Sequence, residues 1–142
     1  MLKKIVGIYL VLVAVLVGVH TVVEPLYHVS TEARPYSPAW DILNAMMIVA
    51  LVIGIVFSYL RKSGVDNDED ASTREFIAAN TLFYGFLFVS ILFFWNWFNL
   101  HSPEFTAIGD ETVSLVWIVV DALLSLVTGA MGIHLARGSG PG

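Results

Sequence analysis

Cysteine is absent from this chain, which excludes disulfides, thiolate metal sites and a cysteine nucleophile. Charge is scarce as well: 13% of the 142 residues are charged, against about 25% in an ordinary soluble domain. A small globule has a large surface for its volume. Seven Lys/Arg and twelve Asp/Glu are too few to cover that surface in water. A basic patch is missing, and with a formal net charge of −5 nucleic acid is not expected as a partner. The sequence contains no G-x-G-x-x-G run, no Walker loop and no G-x-S-x-G elbow, so dinucleotide, nucleotide and serine-hydrolase chemistries have no motif to rest on. Disorder is excluded by the 57% hydrophobic content.

What fills the chain is four long apolar runs: Ile5 to Val23, Leu43 to Leu60, Phe76 to Leu100 and Val113 to Ala136. A helix needs about 20 apolar residues to cross a hydrocarbon core of about 30 Å. An open strand cannot cross, because its backbone groups would be left unpaired in lipid. The expected fold is all-α, a single transmembrane domain over residues 1–142 forming a four-helix bundle. The helices are expected at about 5–23, 41–60, 75–100 and 112–136, with an inner loop at 61–74 and outer loops at 24–40 and 101–111. Met1-Leu2-Lys3-Lys4 before the first run has the look of a secretory leader. However, the run is longer than a leader core of about 7 to 15 residues and lacks a small-x-small cleavage pattern, so it reads as a retained helix.

Lys3, Lys4, Arg61, Lys62, Arg74 and Arg137 fall at one end of an even-numbered bundle, and Arg34 at the other. The positive-inside rule then predicts cytoplasmic N and C termini in a bacterial or archaeal cytoplasmic membrane. Glu24, Glu32, Asp41, Glu104, Asp110 and Glu111 gather on the outer side. Pro25 is expected to end the first helix. The Pro35-Tyr36-Ser37-Pro38 run reads as an ordered cover, and Asp41 as an N-cap or first-turn acid of the second helix. Arg61 to Glu75 reads as a solvated linker, with Ser72 or Thr73 capping the third helix ahead of Glu75. The tail from Arg137 reads as a helix stop.

Polar and small residues form stripes at about 100° per residue. They are Gly7, Ala14, Gly18 and Thr21 on the first helix; Asn44, Met47, Leu51, Gly54 and Ser58 on the second; Thr81, Tyr84, Gly85, Phe88, Leu92 and Asn96 on the third; and Ser114, Trp117, Asp121, Ser125, Thr128 and Gly132 on the fourth. Each stripe is expected to be a packing seam. Phe83, Phe86, Phe93, Phe94 and Phe98 look like more aromatic surface than four helices need to bury.

Two candidate sites follow. Asp121, deep in the fourth run, defines a membrane-embedded polar site with Ser125, Asn44 and Asn96, since a carboxyl inside lipid must face protein or water. His20 and Glu24, four apart on one helix face, together with His28 and His101, form a candidate metal set for copper, zinc or iron. The leading functional expectation is a non-catalytic accessory or structural subunit of a larger membrane complex, with other integral membrane subunits or copies of itself as partners. The alternatives are a small oligomeric proton or cation transporter using Asp121, and a metal-binding membrane enzyme or redox subunit using the outer His/Glu residues.

Overall fold

The computed structural model describes residues 1–102 and 109–138. Glu104, expected on the outer side, and the tail beyond Gly138 lie outside the described residues. Four helices follow in order: α1 (Leu2–Tyr27), α2 (Ala39–Asp66), α3 (Thr73–His101) and α4 (Asp110–Arg137). Each is long and apolar enough to cross a bilayer. Their outward faces carry aliphatic and aromatic side chains, among them Ile8, Val15 and Val22 on α1, Val49 and Val56 on α2, Ile91 on α3, and Leu115 and Leu126 on α4. Hydrocarbon solvates such a surface and water does not. The chain is a small, multi-pass, all-α integral membrane protein built as a four-helix bundle.

α1 packs most extensively against α4, which in turn packs on α3, and α3 on α2; α1 and α3 stand on the diagonal. The α1–α4 seam is antiparallel, with Gly7 facing Gly132 and Ala136, Ala14 facing Gly129, and Gly18 facing Ser125. A Cβ on Gly7 would lie 2.5 Å from the Ala136 backbone nitrogen, and one on Gly132 would lie 2.7 Å from the Gly7 carbonyl oxygen. Glycine is required at both positions because two backbones meet there, as small-residue seams in lipid allow. Around this seam Leu10, Val13, Val17, Met47, Leu51, Phe86, Phe93, Leu124 and Met131 form a fully buried core.

Three of the expected stripes are buried seams. Gly7 and Ala14 on α1, Met47, Leu51, Gly54 and Ser58 on α2, and Trp117, Asp121, Thr128 and Gly132 on α4 all face inward. α3 is turned differently. Its buried residues are Ala79, Phe86, Val89, Ser90, Phe93 and Asn96, whereas Thr81, Tyr84 and Phe88 are exposed. The partner helix explains the rotation. The Phe86 ring fills the space left by Gly54, where a Cβ would come within 2.1 Å of the ring. Two of the five phenylalanines expected to be surplus, Phe86 and Phe93, are therefore core residues, and Phe98 is 65% exposed.

The helix ends also differ from expectation. α1 continues through Pro25 to Tyr27, and the His28 amide donates to the Glu24 carbonyl at 2.9 Å. A proline in the last turn withdraws one amide while few bonds remain to be broken beyond it. α2 runs past Leu60 to Asp66, using part of the expected linker, and Lys62 and Asp66 form an ion pair one turn apart. Asn67 then donates its side-chain amide to the Ser63 carbonyl at 2.7 Å. Ser72 and Glu75 form the expected capping box at the start of α3. Asp41 is a first-turn acid of α2, whose N-cap is Pro38. Gly138, with φ at 70°, ends α4.

Candidate functional site

The end of the bundle that carries residues 28–38, called outer here after the sequence expectation, is built differently from the opposite, inner end. Residues 28–38 fold back over it as an ordered cover. The turn is closed by Thr31 and Arg34, whose amides and carbonyls pair at 3.1 and 3.2 Å. The cover is fastened to the bundle by Glu24, whose carboxylate accepts from the Ser37 amide at 2.9 Å and from the Trp40 indole N–H at 2.8 Å. Tyr36 fastens it again through its hydroxyl, 3.1 Å from the Ser114 hydroxyl of α4. Ser37 is buried by these contacts. Asn96 donates to the Val113 carbonyl at 3.1 Å and ties the outer end of α3 to α4.

Beneath the cover lies a cavity of about 440 Å³. Thr21, Glu24 and Pro25 of α1 line it with His28, Ser30, Pro35 and Tyr36 of the cover. Trp40 and Asn44 of α2, Leu100 of α3, and Ser114, Trp117, Ile118 and Asp121 of α4 complete the wall. The size suits a small organic ligand. Asp121 is 4% exposed and Trp117 is 8% exposed. Among the described residues neither Asp121 Oδ1 nor Trp117 Nε1 has a hydrogen-bond partner. Native proteins rarely leave such groups unpaired, because each costs about 1–3 kcal/mol of desolvation. No Lys or Arg lines the cavity to answer the two acids.

Of the expected membrane-embedded site, Asp121 and Asn44 meet in this cavity. Ser125 lies outside the cavity wall on the α1 seam, its hydroxyl 3.3 Å from where a Gly18 Cβ would stand; Asn96 donates its Nδ2–H to Val113, and its Oδ1, like the Ser125 hydroxyl, is buried without a partner among the described residues. The residues of the expected metal set each have a local partner, although His20 Nδ1 is buried without one among the described residues. His20 Nε2 bonds the Tyr27 hydroxyl, which lies 3.1 Å from the Ser37 hydroxyl. The His20 ring also stands edge-on to Trp40 at 4.6 Å. Glu24 does not pair with His20; it holds the cover. His28 Nε2 meets the Arg34 carbonyl at 3.2 Å. His101 Nδ1 meets the Trp97 carbonyl at 2.8 Å, with its ring 4.8 Å from that indole. Among the described residues no three His, Asp or Glu side chains come together in a way that could hold a metal ion.

Tyr36, Trp40 and Trp117 are the site residues that sequence reasoning did not single out as a group. The signal was present in the tryptophan four residues before Asp121 and in the aromatic prolyl loop. What joins them is the folding back of the loop, which Glu24 and Tyr36 fasten to the bundle. No protein-family model matches the chain, and neither a curated protein nor a solved structure is significantly similar to it.

Proposed function

We propose that this small integral membrane protein is a non-catalytic binding subunit whose outer-end cavity takes a cationic group at Asp121. The observation that carries this reading is Asp121, a buried carboxyl in the lining of a ligand-sized cavity, with one oxygen that has no hydrogen-bond partner and no Lys or Arg beside it in the lining, among the described residues. Burial disfavours a lone carboxylate, so a cation that enters beside Asp121 offsets the cost of its charge and is held by a stronger Coulomb attraction than in water. Tyr36, Trp40 and Trp117 offer ring faces that suit an organic cation better than a bare metal ion. Supporting the binding role over transport, the inner half of the bundle is closed by backbone contact at Gly7 and Gly132.

The subunit works beside other integral membrane subunits or copies of itself, which size on a native gel after mild-detergent extraction measures. It sits with both termini in the cytoplasm. Lys3, Lys4, Arg61, Lys62, Arg74 and Arg137 at the inner end support this orientation. The cysteine-free chain makes the orientation easy to test: a Ser30→Cys variant should label with an impermeant maleimide from outside and a Glu69→Cys variant only after lysis.

The binding reading is tested by tryptophan emission in phosphatidylcholine nanodiscs titrated with dodecylamine. Emission should change with wild type and with Asp41→Asn, whose carboxyl lies outside the cavity, and should not change with Asp121→Asn. An equal response from Asp121→Asn overturns the reading.

A further inference from the structure

The outer-end cavity is lined by two acids and no Lys or Arg, yet it has spent most of its hydrogen-bonding capacity on its own wall. Glu24 accepts from the Ser37 amide through one oxygen and from the Trp40 indole through the other. Tyr36 and Ser114 bond each other, Ser30 donates to the Pro35 carbonyl at 2.9 Å, and Thr21 donates to the Val17 carbonyl at 2.7 Å. His28 Nε2 is taken by the Arg34 carbonyl. Asp121 Oδ1 and Trp117 Nε1 have almost no accessible surface, so neither is open to a ligand. What these bonds leave unspent among the described residues is one acceptor on each of three walls. They are the Asn44 amide oxygen of α2, His28 Nδ1 of the cover and the second oxygen of Asp121 on α4. A primary ammonium has three N–H donors, and each needs an acceptor at about 2.9 Å.

Aromatic rings hold a cation without accepting a classical hydrogen bond. Tyr36, Trp40 and Trp117 line the cavity. The Trp40 N–H is held by the Glu24 carboxylate, which polarises the indole towards its ring, and His20, outside the lining, stands edge-on against it at 4.6 Å. We infer that the cavity selects a compact quaternary ammonium, with methyl groups in place of N–H, over a primary ammonium of the same size. The two carboxyls supply the field, the rings receive the methyl groups, and no bond in the wall has to break. This inference rests on the cation-binding reading above and adds the head-group chemistry to it.

The test is calorimetric titration of the full-length protein in dodecyl maltoside, a detergent without charge or ammonium, corrected against protein-free micelles. Three probes have closely similar size and shape: tetramethylammonium, tert-butylammonium, which presents N–H, and tert-butanol, which has no charge. An N–H left without an acceptor should cost about tenfold or more in affinity. Tetramethylammonium should therefore bind most tightly, tert-butylammonium about tenfold or more below it, and tert-butanol most weakly. Asp121→Asn should weaken both cations. Tyr36→Leu should weaken tetramethylammonium several-fold, whereas Tyr36→Phe, which loses the same hydroxyl and keeps the ring, should retain it. Displacement of tetramethylammonium by choline but not by dihexanoylphosphatidylcholine marks a free solute as the occupant, and displacement by both marks a lipid head group; either supports the inference. Equal affinity of the two cations, with loss in Asp121→Asn, overturns the quaternary assignment and leaves the cation reading standing. Absence of binding by either cation overturns the inference, and the cation reading falls with it only if dodecylamine also fails in the nanodisc titration. If Asp121→Asn fails to assemble, the wild type still decides: tert-butanol binding as tightly as tetramethylammonium, or tert-butylammonium doing so, overturns the inference.

Discussion

The two ends of this bundle solve the same problem in opposite ways. At the inner end, α1 and α4 are brought together by Gly7 and Gly132 until their backbones touch, and the space between the helices is filled with Leu10, Met131 and their neighbours. At the outer end the helices stand around a cavity of about 440 Å³, and hydrogen bonds from Glu24, Tyr36 and Asn96 fasten the cover and the helix ends above the core. The inner end has no buried carboxyl, whereas the outer end keeps Asp121 with an unpaired oxygen among the described residues. The buried core runs through both halves, with Val17, Met47 and Phe93 on the outer side, so what distinguishes the ends is the backbone contact at one and the polar cavity at the other.

The sharpest way to break this comparison is Gly132→Leu. A side chain there must displace the Gly7 carbonyl and the Val11 backbone nitrogen, which stand 2.7 and 2.8 Å from the position of its Cβ. The α1–α4 seam should come apart, read as loss of the folded species on size exclusion in mild detergent. Next in size is Glu24→Ala, which removes two hydrogen bonds to a charged acceptor from the cover. At about 1.5–3 kcal/mol for each such bond, residues 28–38 should become open to protease while the helices stay intact by circular dichroism.

Asp121→Leu should act in the opposite direction. It removes a buried group without a partner, so the unliganded bundle should gain about 1–3 kcal/mol in thermal unfolding and lose dodecylamine binding at once. A destabilised Asp121→Leu would show that the carboxyl is a structural part of the outer end and would erase the contrast between the halves. The smallest effect is expected at Ser72→Ala, which breaks the capping box of α3 at the inner end. It should cost about 1 kcal/mol in unfolding measurements and leave binding unchanged.

Much of the architecture was legible in the residues. The four apolar runs mark the spans, because length and composition alone decide whether a helix can cross hydrocarbon. The inward faces of α2 and α4 could be read because polar and small residues recur there at helical spacing against an otherwise apolar background. α3 could not be read in that way. It is apolar around most of its circumference, so periodicity does not distinguish its inner face. Tyr84 and Phe88 had as strong a claim to the core as Phe86 until Gly54 on the neighbouring helix made room for one ring. The metal set illustrates a related difficulty. His20, Glu24, His28 and His101 share an end of the bundle, yet each is occupied by a local partner that no spacing rule reveals.

The sequence by itself determined the solvent, the number of spans and the place of Asp121 within the fourth span, since these follow from the polarity of each residue and its distance along its own helix. The tertiary structure alone decided that Trp117 and Asp121 look into a cavity, that Glu24 holds its cover, and that Phe86 rather than Phe88 fills the core. Those outcomes depend on which helix stands opposite and how closely glycine lets it approach, and that information is divided between segments far apart in the chain.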